Sequence, residues 1–103
     1  MAEAFIVAAV RTAGGRRGGR LSGWHPVDLA AQVIDALVAR TGADPALVED
    51  VILGCVTPVG DQGADIAKTV AIATGLPDTV GGTQVNRFCA SALEAVNMAA
   101  SKV

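Results

Sequence analysis

Cysteine, histidine and aromatic residues are scarce in this chain. Only Cys55 and Cys89 are present, too few for a disulfide framework. Cys55 lies in an apolar, strand-like run where a small buried thiol is ordinary, so a bond between the two is disfavoured. Aromatics make up 3% of the 103 residues against twelve glycines and four prolines, so a core has to be built from Val, Ile, Leu and Ala. Such a core suits helices packed closely on a sheet. No apolar run approaches the roughly eighteen residues of a membrane helix. The stretch from Glu3 to Arg11 lacks the layout of a signal peptide, which makes the cytoplasm the expected compartment. Charge of either sign is also limited: the formal net charge of −2 gives no general attraction to nucleic acid or an anionic membrane. The basic residues Arg11, Arg16, Arg17 and Arg20 do gather near the start among glycines, opposed only by Glu3. They lack interleaved aromatics and a strand–G-x-G-x-x-G–helix layout, which disfavours dinucleotide or nucleic-acid binding. A solvated or subunit-contacting loop is the favoured reading over a phosphate site.

What is present is an alternation of strand-like and helix-like segments. Ala4-Phe5-Ile6-Val7-Ala8-Ala9-Val10 is a short continuous apolar run that reads as a strand buried on both faces. After the glycine-rich loop, Pro26 suits a first helical turn, and Val27, Ala30, Ala31, Val33, Ile34, Leu37 and Val38 share one face before Gly42. Asp44-Pro45 opens a short turn, and Val51-Ile52-Leu53-Gly54-Cys55-Val56 reads as a second buried strand. Residues 64–73 recur at helical spacing until Gly75 and Pro77, and residues 79–88 read as a third strand leading into a helix. The expected class is α/β, a β-α-β-α-β-α succession with a mainly parallel sheet. Small residues surround most of the last helix, from Ala90 to Ser101, which suits burial between layers. That helical pattern still runs at Val103 with no stop signal, so residues 1–103 are expected to be part of a larger domain.

Cys89 stands where the third strand gives way to the last helix. A cysteine in a first helical turn faces unpaired N–H groups and the positive end of the helix dipole, a setting that favours a thiolate. Those N–H groups also suit an oxyanion. For acyl transfer, a thiolate attacks a carbonyl and an acyl-enzyme divides one hard step into two easier ones. The competing reading is a buried structural cysteine at a helix start. His25 precedes Pro26 at a helix entrance, where capping or exposure explains it better than catalysis.

The segment Val85-Asn86-Arg87-Phe88-Cys89-Ala90-Ser91-Ala92-Leu93-Glu94-Ala95-Val96 resembles the acyl-enzyme signature of the thiolase family. Ala8-Ala9-Val10-Arg11-Thr12, the following Gly15-Arg16-Arg17-Gly18-Gly19 and Leu21 are similar to the family's opening strand and loop, and residues 51–56 to its second strand. Ala13 stands where Pro is common and Ala92 where Gly is common; neither change touches the attacking atom.

This resemblance implies a thiolase-like layered fold with the cysteine on a buried helix, and a coenzyme-A-dependent acyltransferase. Such an enzyme cleaves 3-ketoacyl-CoA with free CoA, or condenses two acyl-CoA molecules in reverse, with Cys89 as nucleophile and its backbone N–H helping to hold an oxyanion. CoA and acyl-CoA are then substrates, with no metal and no permanently bound cofactor; CoA-contacting residues are unassigned. The implied activating histidine and second catalytic cysteine have no match in these residues, so the chain alone is expected to be inactive. The remaining thiolase segments, in the same or another chain, are the expected partners, in a homodimer or homotetramer with residues 83–86 at a subunit contact. Alternatives are a related condensing enzyme of the superfamily and a non-catalytic assembly or binding fragment with an inert thiol.

Overall fold

The computed structural model describes residues 2–103. Helix α1 spans Pro26–Thr41. Pro26 sits where no N–H is missed and its ring presets φ. His25 Nδ1 accepts the Val27 N–H at 3.2 Å, so the lone histidine is a helix cap. Gly42 ends the helix at φ 64°, its N–H donating to the Val38 carbonyl, in a left-handed conformation that glycine takes without Cβ strain. A 3-10 turn at Pro45–Leu47, capped by Asp44, leads into β1 at Asp50–Gly54. A second such turn at Gly60–Gln62 precedes α2, Ile66–Ala73, whose cap is Asp65. Strand β2 at Gly81–Val85 and helix α3 at Ser91–Ser101 complete the order.

The two strands pair in parallel, from Asp50↔Gly81 to Gly54↔Val85, with α2 as the crossover between them. The Cys55 N–H continues the ladder to the Val85 carbonyl at 2.9 Å. Side chains alternate across the sheet, so Val51 and Leu53 share a face with Gly82 and Gln84. On that face lies the core: Val51, Ala67, Ala71, Leu76 and Val80, flanked by Ile34 and Val38 of α1. A second cluster of Val27, Ala31, Cys55, Ile66 and Val70 adjoins Leu53. Apart from Leu76 these are Ala, Val, Ile and Cys, as the shortage of aromatics requires.

Helix α3 packs on the other face. One glycine on each face sets how near the helices come. A Cβ on Gly82 would lie 2.2 Å from the Lys68 nitrogen in α2, and one on Gly54 would lie 2.6 Å from the Ser91 carbonyl carbon in α3. Side chains fasten the layers at their margins. Asp35 Oδ1 accepts the Gly75 N–H at 2.9 Å, tying α1 to the loop after α2. Lys68 Nζ donates to the Val80 and Asp78 carbonyls, and Lys102 pairs with Asp50.

The architecture is α/β with a parallel sheet, as expected, but one detail differs. Residues 4–10 form no regular element and belong to neither strand, with Phe5, Ile6 and Val7 exposed by 78, 83 and 87%. A strand needs a neighbour for its backbone groups, and among the described residues this run has none; apolar composition alone does not supply one. The described order is therefore α-β-α-β-α. The last helix is covered on one side only among the described residues, leaving the other open to a further layer. Ser91 and Ala95 are buried against the sheet, while Leu93 and Val96 are 64 and 53% exposed. Among the described residues no helix is long and apolar enough to cross a membrane.

Candidate active site

Both cysteines leave the sheet at its carboxyl end. Cys55 follows β1 directly and is buried in the core, whereas Cys89 follows β2 after a turn and is exposed; both thiols are free. In parallel α/β sheets the crevice outside the strand carboxyl ends is the usual place for ligands. Of the two, only Cys89 is placed to meet one.

The expected position of Cys89 within the first helical turn needs correction. Helix α3 begins at Ser91 with Ala90 as its N-cap, so Cys89 lies one residue outside the cap. The chain between β2 and α3 is a tight turn. Phe88 adopts φ 48°, a left-handed conformation that costs a non-glycine residue about 1–2 kcal/mol. Phe88 is 75% exposed, so burial of its ring offsets little of this cost.

Hydrogen bonds hold the turn instead. Asn86 Oδ1 accepts the Phe88 N–H at 3.0 Å, and Asn86 Nδ2 donates to the Val56 carbonyl at 3.1 Å, fastening the turn to the loop after β1. Ser91 Oγ donates to the Phe88 carbonyl at 2.6 Å and accepts the Arg87 N–H at 2.8 Å. The Ala90 N–H reaches the Arg87 carbonyl, and the Ser91 N–H the Phe88 carbonyl. Arg87 lies 3.2 Å from Glu94 in an ion pair open to solvent. The backbone turns sharply because short polar side chains on both sides of Phe88 bond to it.

Of the residues weighed from sequence, the structure brings Asn86, Arg87, Cys89 and Ser91 into this turn. His25 does not join them: besides capping α1, its Nε2 lies 3.7 Å from Asp61 Oδ1. Arg11, Arg16, Arg17 and Arg20 remain on the exposed opening loop. The sequence alone attaches no functional role to the hydroxyl of Ser91, although a Ser two positions after a cysteine at a helix start is a local-bonding signal. A groove of about 1050 Å³ runs between β1 and the outer part of α3, lined by Leu47, Ile52, Val96 and Lys102 among others; Cys89 is not part of it. Among the described residues no group of three His, Cys, Asp or Glu side chains could hold a metal ion.

Comparison with known proteins gives the site a context. The family profile described as "Thiolase, N-terminal domain" matches residues 4–103. A steroid 3-ketoacyl-CoA thiolase of Mycobacterium tuberculosis is 47% identical over 103 residues, covering 100% of this chain and 25% of the relative. A beta-ketoadipyl-CoA thiolase of Escherichia coli is 41% identical, covering 100% of this chain and 26% of its own length. The crystal structure of the Bacillus anthracis acetyl-CoA acetyltransferase superposes with a TM-score of 0.75 at 40% identity, over 84% of this chain and 22% of that one. A thiolase from Ascaris suum, solved in complex with coenzyme A, gives a TM-score of 0.74 at 28% identity, over 81% and 22%. The chain thus spans about a quarter of the length of the curated relatives it matches.

Proposed function

The chain belongs to the thiolase family, as part of its N-terminal domain, and on that premise we propose that it contributes the nucleophile of a coenzyme-A-dependent acyltransferase. The observation that carries this reading is the placement of Cys89. It is an exposed thiol at the carboxyl end of a parallel sheet, on a turn fastened by Asn86 and Ser91, directly ahead of a helix N-terminus.

In the degradative direction, the Cys89 thiolate attacks the 3-keto carbon of a 3-ketoacyl-CoA. The carbonyl π-electrons move to oxygen and return as the C2–C3 bond breaks. The departing carbon takes a proton, leaving acetyl-CoA and an acyl group on Sγ. The thiolate of free CoA then attacks the acyl carbonyl and expels the Cys89 thiolate. The Cys89 N–H contributes to holding the transient oxyanion. The groups that activate Cys89 and move the proton at C2, a histidine and a second cysteine, come from the remaining thiolase segments, in the same or another polypeptide. His25 serves α1 and Cys55 is enclosed in the core, which supports assigning those roles elsewhere.

The same reading makes the working assembly a cytoplasmic homodimer or homotetramer, with residues 83–86 near a subunit contact. In support, β2 has a paired strand on one side only among the described residues.

The test is exposure to a short 3-ketoacyl-CoA, an acid quench, and intact and peptide masses under denaturing conditions. An acyl increment on the Cys89 peptide of the complete assembly is the expected result. An unmodified Cys89 there, with thiolysis proceeding, overturns the assignment.

A further inference from the structure

Among the described residues Ser91 is the one buried polar residue, 4% exposed. Both of its hydrogen bonds go to the backbone of the turn that presents Cys89. The Phe88 carbonyl accepts from Ser91 Oγ at 2.6 Å and from the Ser91 N–H at 3.1 Å. That carbonyl and the Cys89 N–H belong to one planar peptide unit. No cis bond occurs among the described residues, and in a trans peptide the C=O and N–H point in opposite directions. Fixing the Phe88 carbonyl toward α3 therefore fixes the Cys89 N–H away from it. Asn86 Oδ1 holds the preceding peptide through the Phe88 N–H at 3.0 Å, and the Ala90 N–H ties the following one to the Arg87 carbonyl, so the plane is flanked on both sides.

From this geometry we infer that Ser91 is a positioning residue, whose hydroxyl aims the Cys89 N–H at the oxyanion formed when Cys89 is acylated. Ser91 does not touch substrate; it acts through the peptide plane. The inference rests on Cys89 being the acylated nucleophile. A preset donor is what makes an oxyanion site effective, since a donor that must reorient during the reaction loses much of its value. The left-handed Phe88 makes such bracing necessary, because without it the peptide can relax toward a more populated conformation.

Two reactions at the same sulfur separate aiming from general support. Acylation by acetyl-CoA passes through an oxyanion, whereas alkylation by iodoacetamide does not and follows the thiol's ionisation and access. In the full chain within its complete assembly, Ser91→Ala is expected to slow acylation of Cys89 about tenfold or more. Alkylation of Cys89 and KM for acetyl-CoA should stay near wild type. Ser91→Thr retains the hydroxyl and should acylate close to the wild-type rate, and it keeps the test open should the alanine variant fold poorly. Equal losses of acylation and alkylation in Ser91→Ala, or a folded Ser91→Thr that alkylates normally but acylates as slowly as an oxyanion-site defect, would overturn the inference. Unchanged acylation in Ser91→Ala would do so as well. If the wild-type assembly never acylates Cys89, the nucleophile assignment fails and this inference falls with it, an outcome distinct from a selective failure of the Ser91 variants.

Discussion

Gly82 of β2 lies so near Lys68 of α2 that a Cβ added to it would come within 2.2 Å of the Lys68 nitrogen and 2.4 Å of its Cα. Both contacts are with backbone, so no side-chain rotation relieves them. Gly82→Ala must push the crossover helix off the sheet, disturbing the buried Ala67 and Ala71. A loss of about 3 kcal/mol, the upper range for overpacking, is expected in chemical denaturation. Gly23, whose added Cβ would meet nothing within 4 Å, is the control. Gly23→Ala should change stability by about 0.5 kcal/mol at most.

Gly54→Ala acts on the other face, where its Cβ would come within 2.7 Å of the Ala92 nitrogen at the start of α3. Because that helix start anchors the Cys89 turn through Ser91, acylation should suffer beyond what stability predicts. A rate loss of about a hundredfold, typical of displacing a reacting group by an ångström, is the expected outcome in a quenched-flow acylation assay.

Cys89→Ala should abolish the acylated peptide and thiolytic turnover of the complete assembly. Cys55→Ala should retain both, since that thiol packs among Val27, Ile66 and Val70 in the core. Its expected cost is confined to stability, about 1–2 kcal/mol for a small buried side chain. Peptide mass mapping after substrate exposure distinguishes the two cysteines.

His25→Ala removes the acceptor for the Val27 N–H and with it the α1 cap. Thermal unfolding should report about 1 kcal/mol of destabilisation, the usual worth of a cap. Thiolysis by the complete assembly at a temperature well below the transition should be unchanged. A loss of activity in the folded variant would restore His25 as a candidate base.

Much of this organisation is legible in the residue order. Pro26 and Gly42 bound α1, the run around Val51-Ile52-Leu53 forms β1, and the junction at Cys89 separates β2 from α3. Local signals suffice there because caps, glycines and apolar spacing act over a few residues. Pairing is different. Nothing within Phe5-Ile6-Val7 says whether a neighbouring strand is present, and among the described residues none is. The offset of Cys89 from its helix was also beyond reach, because it depends on Phe88 entering left-handed space. Sequence rarely signals that conformation for an aromatic residue. The resemblance to the thiolase signature singles out Cys89 as the candidate nucleophile; the geometry adds the hydroxyl behind it.

The cradle of Cys89 is assembled within a short reach of chain. Val56 supplies one acceptor, the turn supplies its own backbone groups, and Ser91 and Glu94 lie in the first turns of α3. All of these partners come from residue 56 and from residues 86–94. The shape of the turn is therefore set locally, and a change elsewhere in the chain reaches it only by moving the end of β1 or the start of α3.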